Sequence, residues 1–290
     1  MSKTLSEIRE KIDEIDNHVH DLLMERAALV SSVAEAKRKE GLQVVQPARE
    51  AMMIRRLLAR HGGPLPQAAV VRIWRELVGS VALLQTGLSV VVAPGAQQGA
   101  CPFWDMAKNY FGTVVPMRVA KSLSGALVAV REDEDSFAIM PWPELDDAMP
   151  WWVHLFGQAA DGERLSVICA LPYGQDSWQG TNGTPRALVV AKIAFLPSDD
   201  DFSFIGIELD SSVSRARVTE VCGRAGLVPL NIYSAPSPYH DGAVLYFVEV
   251  GGFVEDSDPA MEALRTGLGE QALYCGVMGG YPAVPEFISA

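Results

Sequence analysis

The first forty residues predict one long helix with a continuous apolar face. Apolar side chains recur every three or four residues, at Ile8, Ile12, Ile15, Val19, Leu22, Leu29 and Val33. This spacing is typical of a helix buried against partners. Two cations share the face, because Arg26 falls between Leu22 and Leu29 and Lys37 lies one turn beyond Val33. A buried unpaired charge is costly, so we expect a small anionic ligand to meet Arg26 and Lys37 in a pocket between helices.

The same helix constrains how many chains build that pocket. Arg26 and Lys37 are separated by about 20° around the helix and about 16 Å along its axis, so both side chains can converge on one small anion. Arg9 lies about 25 Å from Arg26. It therefore cannot reach the same small ligand from the same chain, but it could reach a ligand bound by an antiparallel partner chain.

Three helices are predicted, over residues 4–39, 47–61 and 66–85. The first begins with the capping-box pattern Thr4-x-x-Glu7, and Gly41 is expected to end it. The third is expected to end at Gly87 and to bury one apolar face, made of Val70, Ile73, Trp74, Leu77, Val81 and Leu84. Three such helices cannot close a core alone, so we expect another chain along the first helix.

Charge is distributed unevenly along the chain. Residues 1–86 carry 13 Lys and Arg against 11 Asp and Glu, whereas the remaining residues carry 11 against 25. The acidic part disfavours nucleic-acid or anionic-membrane partners, and no apolar run reaches the length of a membrane span. The four cysteines form no CxxC pair. We therefore expect a cytoplasmic protein with reduced thiols, no metal and no cofactor.

The pattern changes at Leu88, where strands begin to alternate with helices. Strands are predicted at 88–93, 125–130, 137–140, 165–170 and 187–195, with a helix near 103–111, which indicates an α/β domain over 88–198. The acidic segment 198–201 reads as a solvated linker. Residues 199–290 follow the order βαββαβ of a ferredoxin-like α+β unit. The fold class is thus multidomain: an all-α three-helix domain over 1–87, then the α/β and α+β domains.

The N-terminal stretch resembles the all-helical class of chorismate mutase. The resemblance is carried by Ile8 to Asp16, Glu25-Arg26, Ala36-Lys37, Arg49-Glu50 and Gln85, in the family's order and spacing. It implies an intertwined homodimer in which one Arg of each site comes from the partner chain, and Arg9 is the matching position.

The resemblance also implies a substrate and roles for the site residues. The substrate is chorismate, and its conversion to prephenate is a pericyclic rearrangement that needs a dianion held in a reactive conformer and stabilisation of the ether oxygen. Arg9 and Arg26 would hold carboxylates, Lys37 and Gln85 would donate to the ether oxygen, Glu50 would accept from the ring hydroxyl, and Arg49 would support the site. The family commonly has an acidic residue where this chain has Gln46, and Ser where this chain has Val81. The nearest serine in this chain is Ser80, one place away. Losing one polar contact costs about 1–3 kcal/mol, which predicts a slower or weaker enzyme.

The whole chain resembles the bifunctional chorismate mutase–prephenate dehydratases, but the middle region lacks their catalytic marks. Pro185-Arg186-Ala187 stands for the dehydratase Thr-Arg-Phe, and Trp142-Pro143-Glu144 stands where Glu-Asn-Ser is expected. Because proline cannot supply the hydroxyl of that Thr, we expect a degenerate domain without dehydratase activity. A bifunctional enzyme that uses unfamiliar residues is the alternative.

The last unit is similar to the ACT regulatory domain of those enzymes. The similarity is carried by residues 230–236 and 276–282. Two of the family's sequence features differ here. Ser214-Arg215-Ala216-Arg217 stands in place of the Phe-binding Gly-Ala-Leu pattern, and Ala235 stands in place of the Arg of Glu-Ser-Arg-Pro. Regulation by an aromatic amino acid and a purely structural or dimerising role therefore both stay open. A third interpretation of the whole chain is a non-catalytic partner that binds chorismate or an aromatic amino acid and regulates another enzyme, which Gln46 and Val81 favour.

Overall fold

A computed structural model describes residues 4–40, 43–95, 101–145, 147, 150–156, 164–173 and 185–285. Its helices are α1 (Leu5–Lys39), α2 (Pro47–Ala59), α3 (Gln67–Thr86), α4 (Trp104–Phe111), α5 (Leu123–Glu132), α6 (Arg215–Arg224) and α7 (Pro259–Leu268). Its strands are β1 (Ser89–Val92), β2 (Met117–Val119), β3 (Ser136–Pro141), β4 (Ser166–Leu171), β5 (Ala187–Ala191), β6 (Asp201–Asp210), β7 (Pro229–Pro236), β8 (Ala243–Gly251) and β9 (Ala272–Pro282). Short 3₁₀ turns cover Trp151–Leu155 and Gly269–Gln271.

Helix α1 begins with the predicted capping box. The Thr4 backbone N–H donates to Glu7 Oε2 at 2.7 Å, and the Glu7 N–H donates to Thr4 Oγ1 at 3.3 Å. These bonds satisfy two donors that a helix start would otherwise leave unpaired. The pKa of Glu7 is lowered, first by the bond from the Thr4 backbone N–H to its carboxylate and then by the Thr4 hydroxyl. Gly41, the expected end of this helix, lies outside the described residues.

The apolar face of α1 is largely uncovered within one chain. Its side chains are between 44% and 64% exposed, at Ile8, Ile12, Ile15, Val19, Leu22, Leu29 and Val33. A contiguous apolar surface of this extent is typical of an interaction face. One chain alone therefore leaves uncovered the face that the sequence predicts to be buried.

The face that α3 buries differs from the predicted one. The buried side chains are Val70, Val71, Arg75 and Ala82, with Gly79 at the centre, whereas Ile73 is 48% and Leu84 80% exposed. The reason is that α4 packs on the Gly79 side. A Cβ at Gly79 would lie 1.6 Å from the Phe111 carbonyl oxygen, so the two backbones approach directly.

One nine-stranded sheet runs through the rest of the described chain, in the order β2-β1-β3-β5-β4-β9-β6-β8-β7. Strands β2, β1 and β3 are parallel, whereas β5 is antiparallel to both β3 and β4. The last four strands are antiparallel, and with α6 and α7 they follow the predicted order βαββαβ. Strands β4 and β9 join the two halves where Val167 pairs with Gly279.

Three local predictions need correction. Residues 125–130 belong to helix α5 and not to a strand, because Ser122 caps the helix by accepting from the Gly125 N–H at 3.0 Å. The strand predicted over 187–195 ends at Ala191, as β5. Strand β2 has no counterpart among the predicted strands. The segment 198–201 is only partly solvated, since Ser198 is fully buried and Asp201 is 5% exposed.

Among the described residues, no helix combines the length and apolar composition that a membrane crossing requires.

Candidate active site

A cleft of about 760 Å³ lies between the three N-terminal helices and the start of β6. Five of the six predicted site residues line it: Arg26, Lys37, Arg49, Glu50 and Gln85. They come from α1, α2 and α3, so the packing of these helices brings them together. Five cations and three carboxylates line the cleft, which gives it a formal charge of +2 and suits an anionic ligand.

Lys37 projects from the last turns of α1 into the cleft. Its Nζ donates to the Val44 carbonyl oxygen at 3.0 Å. Burial lowers the pKa of Lys37, the neighbouring Arg49 lowers it further, and Glu50 opposes both effects. An ammonium carries three hydrogens, so Lys37 can serve this carbonyl and a ligand at the same time.

Gln85 reaches the cleft from the C-terminal end of α3. Its Nε2 donates to the Val30 carbonyl oxygen at 2.7 Å, which ties α3 to α1. Helix α3 ends immediately afterwards, at Gly87, whose φ of 78° gives the left-handed C-cap predicted from the sequence. The bond to Val30 holds the amide of Gln85 against α1, the helix that also carries Arg26.

Glu50 is fixed by a residue that the sequence interpretation missed. Its Oε2 accepts from Arg75 Nη1 at 2.9 Å, and Arg75 is 3% exposed. Arg75 is one turn from both Val71 and Gly79 on the buried face of α3. A cation at helical spacing on an apolar face was the available signal, as it was for Arg26.

The two departures from the family pattern both lie in the cleft. Gln46 and Val81 are lining residues. Ser80 does not substitute for the missing hydroxyl, since its Oγ donates to the Glu76 carbonyl oxygen at 2.7 Å within its own helix. The cleft wall at this point is therefore apolar, and Val78 and Ala82 extend it.

One wall of the cleft comes from the segment before β6, which the sequence interpretation treated as a linker. Ser198, Asp199 and Asp200 line the cleft there. Arg55 of α2 holds the segment by donating to the carbonyl oxygens of Ser198 at 2.6 Å and Asp200 at 2.8 Å. The C-terminal unit thus contributes to the surroundings of the site.

Arg9, the sixth predicted residue, is exposed and does not line the cleft of its own chain. It lies on helix α1, whose apolar face is uncovered, about 25 Å from Arg26 along the helix axis. The structure of one chain therefore leaves Arg9 without a part in the site.

The N-terminal region matches a known family. Residues 8–86 match the family model described as chorismate mutase type II. The bifunctional chorismate mutase/prephenate dehydratase of Aquifex aeolicus is 33% identical over 114 residues, which cover 37% of this chain and 32% of that protein. The chorismate mutase of Methanocaldococcus jannaschii is 44% identical over 64 residues, which cover 21% of this chain and 65% of that protein.

The chain also aligns with solved structures. A prephenate dehydratase from Streptococcus mutans aligns with a TM-score of 0.46 at 14% identity, over 67% of this chain and 98% of that one. The chain spans about a third of the length of the bifunctional relative and just under two thirds of the M. jannaschii protein. The match to chorismate mutase type II covers residues 8–86, which are joined here to a further region of mixed α and β structure.

Proposed function

We propose that the protein converts chorismate to prephenate. The observation that carries the proposal is the cleft, in which Arg26, Lys37, Glu50 and Gln85 meet from three helices of a chorismate mutase type II domain. A pericyclic rearrangement needs no nucleophile or general base. It needs a bound dianion in a reactive conformer and donors aimed at the oxygen on which charge develops.

Each lining residue has a role in this proposal. Arg26 binds a carboxylate, Lys37 and Gln85 donate to the ether oxygen, and Glu50 accepts from the ring hydroxyl. Arg49 supports the site beside Lys37. Glu50 already uses Oε2 for Arg75, so the ring hydroxyl would donate to Oε1. Gln46 and Val81 supply fewer polar contacts than the family pattern, which lowers the expected rate without removing the main donors.

The proposal includes a homodimer with shared sites. The second carboxylate of the substrate is bound by Arg9 of a partner chain that runs antiparallel along α1. Two features support this arrangement: the apolar face of α1 is exposed in one chain, and Arg9 is too far along the helix to act in its own cleft. The dimer covers the apolar face and completes the site in one step.

The test is direct turnover by the purified chain. Chorismate loss is followed by absorbance, and Lys37→Ala is compared with Lys39→Ala, which removes an exposed cation two residues away on the same helix. We expect Lys37→Ala to lower kcat by about 100-fold or more, as for removal of a donor to a developing oxyanion. Lys39→Ala should stay near the wild-type rate. Chorismate binding without turnover would favour a non-catalytic sensor, and full activity of Lys37→Ala would contradict the site.

We infer that prephenate is the end product. Pro185 stands where the dehydratase pattern has Thr, and the neighbouring Arg186 guanidinium lies 3.4 Å from the centroid of the Trp142 ring. The Trp142 Nε1–H donates to the Tyr233 hydroxyl at 3.0 Å, so side chains from both halves of the sheet occupy this place. The bifunctional relatives favour the alternative. Stoichiometric phenylpyruvate from pure protein would support them and overturn this inference.

The chain is proposed to have three domains, over residues 1–87, 88–198 and 199–290, and the last of these is proposed to be an ACT-like unit. Its support is the βαββαβ order and the motif-like segments around β7 and β9. An aromatic amino acid is the effector class that the resemblance suggests, and a structural role is the alternative. All four cysteines are free, which agrees with a reducing cytoplasmic location.

A further inference from the structure

We propose that Arg75 is a positioning residue for Glu50 and that the α/β region holds Arg75 in place. This inference rests on the proposed mutase function and gives residues after 88 a part in it. Two contacts carry the argument. Arg75 Nη1 donates to Glu50 Oε2 at 2.9 Å, and Arg75 Nε donates to the carbonyl oxygen of Tyr110 on α4 at 2.7 Å.

Two aromatic rings border the guanidinium of Arg75. Its central carbon lies 3.6 Å from the centroid of the Tyr110 ring and 5.4 Å from that of Tyr173, which follows β4. A planar guanidinium stacks well on an aromatic face and keeps its charge when buried. Glu50 is therefore paired with a cation whose orientation is set by side chains outside the mutase domain.

The packing of α3 on α4 makes this contact rigid. Gly79 lets the backbones approach one turn beyond Arg75. Glu76 accepts from both the backbone N–H and the hydroxyl of Thr113, just after α4. Helix α3 is therefore fixed against α4 at two points, one and four residues after Arg75.

This arrangement matters for the cleft because a carboxylate there faces an anionic substrate. Unless it is paired, the Glu50 carboxylate repels the dianion and is free to choose other rotamers. The Arg75 bond offsets its charge and fixes Oε2, so Oε1 alone is presented to the ring hydroxyl. The α/β region thus acts as a support for the mutase site, a role that requires no chemistry of its own.

A double-mutant cycle in the full chain tests the inference. The variants are Arg75→Met, Glu50→Gln and their combination, with Arg131→Met on α5 as the matched arginine control outside the cleft. Hydrogen bonds to charged groups are strong enough that Arg75→Met should lower kcat/KM by about 10- to 100-fold. In the Glu50→Gln background the same change should cost about twofold or less, because Arg75 acts only through Glu50. Arg131→Met should retain wild-type kcat/KM.

A second variant covers the case in which Arg75→Met does not fold. Tyr110→Leu keeps the backbone carbonyl but removes the ring beneath the guanidinium, and it should lower kcat/KM in the Glu50 background far more than in Glu50→Gln. The inference would be overturned if each change at position 75 or 110 lowered kcat/KM by the same factor in the wild-type and Glu50→Gln backgrounds. The proposed mutase activity of the wild-type chain would then still stand. A wild-type chain without chorismate turnover would overturn the proposed function and this inference with it.

Discussion

Lys37 is the residue whose ionisation connects the cleft to pH. Its ammonium is part-buried beside Arg49, and both burial and that charge lower the pKa of Lys37 below its ordinary value of 10.5. Only the protonated side chain can donate to an ether oxygen as a cation. The free enzyme should therefore lose kcat/KM as pH rises through this lowered pKa.

The pH dependence gives a prediction for Lys37→Arg. A guanidinium stays protonated throughout the accessible range, so the alkaline loss of kcat/KM should move to higher pH, although misplacement of the donor lowers the plateau. Lys39→Arg is the control and should keep the wild-type profile. Measurement of kcat/KM between about pH 6 and pH 10 decides the matter, with the ordinary lysine value as reference. An alkaline limb unchanged in Lys37→Arg would mean that another group titrates.

At the scale of elements, the contact between α3 and α4 depends on one glycine. A Cβ at position 79 would meet the carbonyl carbon of Phe111 at 2.5 Å and its oxygen at 1.6 Å. Backbone cannot yield as a flexible side chain can. The two helices would have to move apart, and this movement would break the contact between Arg75 and Tyr110 on α4.

Gly79→Ala is therefore expected to destabilise the protein by about 1–3 kcal/mol, the range for overpacking. The matched control is Gly223→Ala in α6, where the added carbon meets no heavy atom within 4 Å beyond the neighbouring backbone of its own helix. That change should be neutral or stabilise by up to about 1 kcal/mol, because alanine favours helix. Urea unfolding of both variants compares the free energies of unfolding. Equal stability of Gly79→Ala and wild type would show that the helices pack differently.

Local chemistry explains which elements the sequence could predict. The capping box of α1 and the Gly87 cap of α3 depend on neighbours in the chain, and both are observed. Residues 125–130 were mistaken for a strand because an apolar run has no clear period by itself. The cap from Ser122 was the missing signal.

Non-local contacts explain what the sequence could not reveal. The buried face of α3 is decided by α4, which lies across it, and this contact also hides Arg75. The wall at 198–200 is brought to the cleft by Arg55 of α2, 143 residues away in the chain from Ser198. The residues of α1, α2 and α3 in the cleft were predictable because a family pattern preserves their spacing.

At the scale of the whole molecule, the exposed face of α1 and the isolated position of Arg9 have one common explanation. A second chain along α1 would cover side chains such as Ile12 and Leu22, which are 51% and 64% exposed. In the proposed twofold arrangement, each Arg9 would enter the cleft of the other chain. We propose that two chains share the mutase site in this way.

Subunit mixing tests the shared site most directly. Arg9→Ala and Arg26→Ala are each expected to be nearly inactive alone, because every site in either homodimer lacks one carboxylate ligand. In a mixed dimer one site carries both lesions and the other carries neither. At equal mixing about half of the dimers are mixed, so chorismate mutase activity should recover to about a quarter of wild type.

The measurement is the rate of chorismate loss before and after the two variants exchange chains, with exchange verified by mass-tagged subunits. Arg9→Ala mixed with Lys39→Ala, which keeps every cleft residue, is the control: the total activity should stay at about half of wild type before and after exchange, because each mixed dimer gains one intact site and loses one. Recovery to about a quarter is the predicted result for two sites per dimer. If chains exchange and no activity returns, Arg9 does not act across the dimer, and the shared-site account is contradicted.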